Sequence, residues 1–158
     1  MGITRITNHK QLNAAIKKAS RYDNKILIEE GFVSPREIEV AIMGNKNLTV
    51  SEPGELILTK DFYDYDDKYT TSKVVVSIPT NLSTKDKKDI IELAQKTYTL
   101  CDCSGFARID FFIANKKIYV NEINTLPGFT DTSMFPLLMT NDGMSYTHLI
   151  NEIISLAY

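Results

Sequence analysis

Cysteine is nearly absent: Cys101 and Cys103, on either side of Asp102, are the only two in 158 residues. Residues two apart make a poor disulfide pair, so a disulfide-stapled scaffold is excluded. Histidine is equally scarce. His9 and His148 lie far from the thiols in sequence, which leaves two cysteines short of a structural zinc site. Long apolar runs are missing too. None approaches the ~20 residues of a bilayer span, and the N-terminus has no signal-peptide pattern. There is no positive excess: 18 Lys and Arg against 20 Asp and Glu leave a net charge of −2. Such a balance supplies no basic field for nucleic acid or an anionic membrane. The expectation is a cytoplasmic protein with reduced thiols and neither of those partners. No repeat, low-complexity tract or internal linker breaks the chain, and 43% hydrophobic with 24% charged residues suits one compact domain, or one and a part.

What the chain has is alternation. From Arg36 to Met43, Ile38, Val40 and Ile42 share one face, and Glu37, Glu39 and Ala41 share the other. Gly44 to Asn47 reads as a turn, with Leu48-Thr49-Val50 returning antiparallel. Further strands are expected over Met1–Ile6, over Lys25–Glu29 (short and buried), over Glu55–Leu58 and over Lys73–Ile78. Asp61 to Thr71 reads as a loop rich in Tyr and Asp. Asn8 with Gln11 forms a capping box for a helix over about His9 to Arg21, whose stripe is Leu12, Ala15, Ile16 and Ala19. Ser83 with Asp86 caps a second helix striped by Ile90, Leu93, Ala94 and Cys101. A short helix interrupted near Pro136 follows. Ser145 caps a last helix expected to bury Leu149, Ile150, Ile153, Ile154 and Ala157. This order predicts an α+β fold with a mainly antiparallel sheet, helices on one face and functional residues on the other.

The sharpest functional pattern lies in Arg108 to Ile113 and Tyr119 to Asn124. A hairpin with a three-residue loop over Asn115, Lys116 and Lys117 sets Asp110 opposite Glu122 and Arg108 opposite Asn124, all on one face. Phe111, Ile113, Tyr119 and Ile123 then fill the other face, while Phe112, Ile118 and Val120 line the acidic one near the turn. Two carboxylates facing each other repel, so a partly buried pair asks for a counter-charge. A hard divalent cation on Asp110, Glu122 and Asn124 answers that need. Mg²⁺ suits better than Ca²⁺, because it uses few carboxylates and completes its shell with water and phosphate oxygens. The competing reading is a solvated strand face.

Other residues are weaker signals alone. Gly128, in Thr125 to Thr130, allows close backbone approach, so its N–H could donate to a substrate oxygen, or the Pro127-Gly128 pair simply reverses the chain. Ser133, near a helix start, offers a hydroxyl and neighbouring N–H groups to a carboxylate, or serves as a cap. Lys68, among Tyr63, Tyr65 and Tyr69, reaches a phosphate or is solvated. Glu29-Glu30-Gly31-Phe32 could form a hinge that presents backbone groups to an adenine, and Glu37 could offer a carboxylate to two ribose hydroxyls.

The order of these motifs resembles the C-terminal part of D-alanine–D-alanine ligases, in the ATP-grasp superfamily. It is carried by Leu27-Ile28-Glu29-Glu30, Arg36-Glu37 to Ile42, Phe62-Tyr63-Asp64-Tyr65 with Lys68-Tyr69, Arg108-Ile109-Asp110, Asn121 to Thr125, Pro127 to Thr130 and Ser133-Met134. The resemblance implies an ATP-grasp C-terminal region over 1–158. It implies Mg²⁺ (or Mn²⁺) on Asp110, Glu122 and Asn124, adenine at Glu29, Glu30 and Phe32, ribose at Glu37 and ATP phosphates at Lys68. Tyr63 and Tyr69 would lie in a closing loop. Arg108 and the Gly128 N–H would stabilise the tetrahedral intermediate, and Ser133 and Met134 would hold the second D-amino acid. The implied reaction needs ATP and two D-alanines, for peptidoglycan precursors, and the implied full-length enzyme is a homodimer. The family's N-terminal domain and upstream lysines fall outside this sequence, so the 158 residues alone are expected to be inactive or nearly so. Lys68-Tyr69 resembles the dipeptide-forming members rather than the D-lactate-using ones. A vancomycin-resistance D-alanine–D-serine ligase, another ATP-grasp ligase and a non-catalytic metal- or nucleotide-binding module stand as alternatives.

Overall fold

In the computed structural model residues 2–57, 75–78 and 80–158 are described, and the chain divides into two units between Val33 and Ser34. In the first unit, Asn8 Oδ1 accepts from the Lys10 N–H at 3.1 Å, and Gln11 Oε1 reaches back to the Thr7 N–H at 2.8 Å. This variant of the capping box starts a 3₁₀ turn, His9–Gln11, that leads into α1, Leu12–Ala19. Leu12, Ala15, Ile16 and Ala19 are half-buried and every other residue of α1 is exposed, as the stripe requires. The strands expected before and after this helix are not formed. Residues 2–6 and 25–29 form no ladder, and Ile3, Leu27 and Ile28 are exposed. Apolar content marked them as strands, but a strand also needs a partner edge, and none pairs with them among the described residues.

The second unit is built on a sheet whose described pairs are all antiparallel. β1 (Arg36–Met43) is central and pairs with β2 (Thr49–Val50) and β3 (Gly54–Ile57) along one edge. β4 (Val75–Ser77) adds to β3. The other edge of β1 takes β5 (Phe106–Ala114), and β5 takes β6 (Lys117–Asn124), giving the order β4-β3-β1-β5-β6. Ile38, Val40 and Ile42 meet Ala107, Ile109 and Phe111 beneath α2 (Thr84–Leu100), forming one dry core. Ser83 caps α2 by accepting from the Asp86 N–H at 3.0 Å. The buried stripe runs Ile90, Ala94, Tyr98 and ends there: Cys101 is the exposed cap residue, one turn too far.

Helices cover both faces of the sheet, not one. Ala41, Met43 and Phe106 make one end of the polar face apolar, and α3 (Met134–Asn141) and α4 (Tyr146–Ser155) pack there. Gly54 permits this, since a Cβ would lie 2.7 Å from Leu138 Cδ2 and 3.0 Å from Met134 Cε. Pro136 does not interrupt α3. It sits in the first turn, where a missing N–H costs no helical bond. In α4, Leu149 is buried and Ile153 packs beside it, whereas Ile150 and Ile154 are exposed, because only one stripe of a surface helix meets the core, and the exposed Ala157 lies past the end of the helix.

Arg36 pins the β1–β3 edge. Its Nε and Nη2 fork onto the two oxygens of Glu55 at 2.7 Å each, and Thr80 Oγ1 donates to the same carboxylate at 2.7 Å. These bonds hold the Glu55 carboxyl below its ordinary pKa, the hydrogen bond from Arg36 being the main cause. A carboxylate depressed on folding stabilises above its unfolded pKa, about 4.3, and loses that contribution as pH falls through the folded value. Glu55→Gln is therefore expected to lower stability at pH 7 by about 1 kcal/mol, kept small by the exposure of Arg36. Denaturant midpoints measured between pH 7 and pH 3 should show that gap closing on the acid side.

Candidate functional site

The hairpin brings Arg108, Asp110, Glu122 and Asn124 together in the expected pairs, Asp110 opposite Glu122 and Arg108 opposite Asn124. The route differs from the expectation. The loop has two residues, Asn115 and Lys116, both with positive φ (51° and 61°), and Ala114 pairs with Lys117. The mirror-image turn matches the twist of the strands. A bulge at Asn121 between the pairs Phe111–Val120 and Asp110–Glu122 then adds back the residue that the shorter loop removed. Nearer the turn the faces therefore exchange. Tyr119 stands opposite Phe112 on the acidic face, while Ile118 stands opposite Ile113 and joins the core.

β1 contributes a residue that hairpin reasoning did not single out. Glu39 lies opposite Asp110, so Glu39, Asp110 and Glu122 form a row across three strands, with Ala41, Arg108 and Asn124 in the row beside it. Burial falls along that row. Glu39 is 5% exposed, the Asp110 side chain 13%, and Glu122 is exposed. Arg108 Nε donates to Asp110 Oδ1 at 2.7 Å, Nη2 to Asp110 Oδ2 at 2.8 Å, and Nε also lies 3.0 Å from Glu39 Oε2. Burial works against the Arg108 charge. The bonds to Asp110 and the negative charges of Glu39, Asp110 and Glu122 outweigh it, and its pKa is raised. The signal for Glu39 was its place in the alternation of β1; its partner strand was not readable.

Asn124 Nδ2 donates to Asp110 Oδ2 at 2.9 Å and lies 3.4 Å from Glu122 Oε1. Two facing carboxylates and one amide are a donor set for a hard cation that keeps open positions for water and phosphate. Among the described residues no group of three or more His, Cys, Asp or Glu is arranged to enclose a metal. With two carboxylates and one amide, the donor set suits a partly hydrated Mg²⁺. As an oxygen ligand, Asn124 would present the other end of its amide.

The loop after β6 folds back onto the start of α3. Pro127 is buried and Gly128 exposed, and a Cβ on Gly128 would lie 3.0 Å from Ser133 Oγ. Thr130 N–H donates to Ser133 Oγ at 2.9 Å, and Ser133 N–H donates to the Thr130 carbonyl at 2.9 Å. Gly128 and Ser133 are thereby neighbours, and the Ser133 hydroxyl closes the loop. The Met134 side chain is buried in the α3 core, so only its backbone faces outward chemistry. Phe129 anchors the loop against Phe106, Phe135 and Tyr146.

Glu37 sits one step along the face from Glu39, between Leu56 of β3 and Phe112 of β5. Glu29 and Glu30 are exposed and Phe32 is half-buried, all in the first unit. Tyr63, Lys68 and Tyr69 lie outside the described residues. No described helix is long and apolar enough to cross a membrane.

The family described as D-ala D-ala ligase C-terminus matches residues 1–155. The chain is 43% identical to a D-alanine–D-alanine ligase of Clostridium acetobutylicum over 159 aligned residues, covering 99% of this chain and 46% of that protein. It is 42% identical to the one from Enterococcus faecalis, covering 99% and 45%. The chain thus spans less than half the length of these curated relatives. Among solved structures, the VanG D-Ala:D-Ser ligase of Enterococcus faecalis superposes with a TM-score of 0.85 at 34% identity, covering 99% of this chain and 46% of that one. The D-alanine–D-alanine ligase of Coxiella burnetii gives 0.83 at 33% identity, covering 98% and 40%.

The turn of the site hairpin carries a testable strain. Lys116 holds a left-handed backbone that glycine adopts freely, so Lys116→Gly is expected to stabilise the fold by about 0.5–1 kcal/mol. An upward shift of the urea midpoint with an unchanged m-value would record it.

Proposed function

This chain belongs to the D-alanine–D-alanine ligase family, whose C-terminal part it matches, and on that premise we propose that it is the ATP-grasp portion of a ligase joining two D-alanines. The carboxylate of the first D-alanine attacks the γ-phosphate of ATP, releasing ADP and leaving an acylphosphate. The amine of the second then displaces phosphate, forming the dipeptide for peptidoglycan precursors in the cytoplasm.

The observation that carries the reading is Asp110 facing Glu122, with Arg108 and Asn124 in the adjacent row of the same face. Asp110, Glu122 and Asn124 would hold Mg²⁺, or Mn²⁺ in its place, which when bound neutralises phosphate charge during transfer. Arg108, held charged by its carboxylate neighbours, offers a cation to the oxygens that gain charge in both steps. The exposed Gly128 offers an N–H to the oxyanion of the second step. Ser133 and the Met134 N–H receive the carboxylate of the second D-amino acid. Glu29, Glu30 and Phe32 serve the adenine, Glu37 the ribose and Lys68 the phosphates, with Tyr63 and Tyr69 closing over them. No Ser, His or Cys nucleophile is needed, because phosphoryl transfer depends on positioning and charge. We expect most of the first D-alanine site to lie in the portion that relatives carry outside the matched length, so these 158 residues should turn over little by themselves, and we expect the full-length enzyme to be a homodimer.

A second reading, ligation of D-alanine to D-serine, is favoured by the superposition on VanG D-Ala:D-Ser ligase. An added hydroxyl is rejected only weakly by an apolar pocket, so the two reactions must be compared directly.

The test joins this chain to the N-terminal portion of the Enterococcus faecalis relative and measures phosphate release with ATP, Mg²⁺ and D-alanine, then with D-serine added. Release dependent on D-alanine is the expected result. Arg108→Ala should cost about 10²–10³ in kcat, and Asp110→Asn should be at least as severe, with a higher Mg²⁺ requirement. A chimera that folds and binds ATP yet releases no phosphate with either amino acid would overturn the assignment in favour of a binding module.

A further inference from the structure

Among the described residues Arg108 makes ion-pair contact with two carboxylates, Asp110 and Glu39, and only the first belongs to the proposed cation site. Arg108 Nε donates to Asp110 Oδ1 at 2.7 Å and lies in ion-pair contact with Glu39 Oε2 at 3.0 Å, while Nη2 donates to Asp110 Oδ2 at 2.8 Å. A cation drawing charge from the Asp110 oxygens weakens both bonds of that fork. Yet the Arg108 side chain is only 14% exposed, and a guanidinium buried to that degree needs an anion beside it.

Glu39 is placed to supply one. It is 5% exposed, it faces Asp110 in the β1–β5 register, and its neighbour on β3 is Gly54, which brings no side chain to the row. Its carboxylate Oε2 lies 3.0 Å from Arg108 Nε. The charges are informative too. Glu39, Asp110 and Glu122 carry three negative charges and Arg108 one positive, leaving two, which one divalent cation neutralises. Without Glu39 the same cation would meet one net negative charge and a guanidinium already bonded to its ligand.

We propose that Glu39 is a positioning residue: it keeps Arg108 in place while a divalent cation takes up Asp110, and it completes the charge that the cation balances. Arg108 can then serve the reacting oxygens without being displaced by the metal beside it. This rests on the reading of Asp110 and Glu122 as cation ligands.

Two measurements on the 158-residue chain test it. Mn²⁺ affinity, followed by electron paramagnetic resonance, should fall about 10-fold in Glu39→Gln, the usual scale for a group behind a metal ligand, and should recover in Glu39→Asp, which keeps the charge. The Arg108 Nε–H resonance in ¹⁵N NMR, assigned by its loss in Arg108→Lys, should stay protected from solvent exchange in the native chain at saturating Mg²⁺. In Glu39→Gln it should be protected without Mg²⁺ and lose protection when Mg²⁺ is added. Should Glu39→Gln fail to fold, Glu39→Asp carries the test, with near-native Mn²⁺ affinity and faster Arg108 exchange in Mg²⁺. A folded Glu39→Gln that matches the native chain in both readouts overturns this inference and leaves the cation site standing. A native chain that binds no Mn²⁺, with Asp110→Asn no different, overturns the cation site and this inference with it.

Discussion

Eight residues of β1, Arg36 to Met43, pair without interruption with eight of β5, Ile113 to Phe106, and this ladder positions the rest of the second unit. On one face it aligns Ile38, Val40 and Ile42 with Phe111, Ile109 and Ala107, creating the surface that α2 covers. On the other face the same register sets Glu39 against Asp110 and Ala41 against Arg108. Because side chains alternate with a period of two, a slip of one residue would put the carboxylates into the α2 core and the isoleucines into the site. Burial of the apolar face therefore holds the charged face in register. The energy that fixes the chemistry is largely hydrophobic and lies on the opposite side of the sheet.

Charge on the polar face is graded to match. Glu39 is enclosed beside Arg108, Asp110 is mostly covered, and Glu122 opens to solvent. The deepest negative charge thus meets the fixed cation, and the shallowest is left for exchangeable partners. Where α3 and α4 close the end of this face, apolar Ala41, Met43 and Phe106 replace polar residues, and the loop from Gly128 to Ser133 starts at that boundary. The site lies between that apolar wall and the edge of β6 that carries no partner strand among the described residues.

Much of this was readable from the residues alone. β1 announced itself through strict alternation ended by a turn at Gly44, and α2 through Ser83 with Asp86. Asp110 opposite Glu122 was also readable, although residue spacing implies a three-residue loop where the chain uses two residues and a bulge. The two routes agree at the site and disagree at Ile118 and Tyr119, because sequence spacing counts residues without saying where the extra one is stored. Glu39 was harder to see. Its importance comes from a strand more than sixty residues away, and local pattern does not encode which strands meet. Lys25 to Glu29 failed for the converse reason: its apolar residues gave a strand signal, and no described edge receives it.

The bulge at Asn121 separates the hairpin into two lengths. From Arg108 to Asp110 and Glu122 to Asn124 it is site, while from Phe111 to Val120 it continues the sheet beside Arg36, Glu37 and Ile38 and ends in the exposed Asn115 and Lys116. That two-residue tip is a natural attachment post. A fluorophore, spin label or affinity handle fixed there would report on events at the carboxylate row through the ladder that joins them.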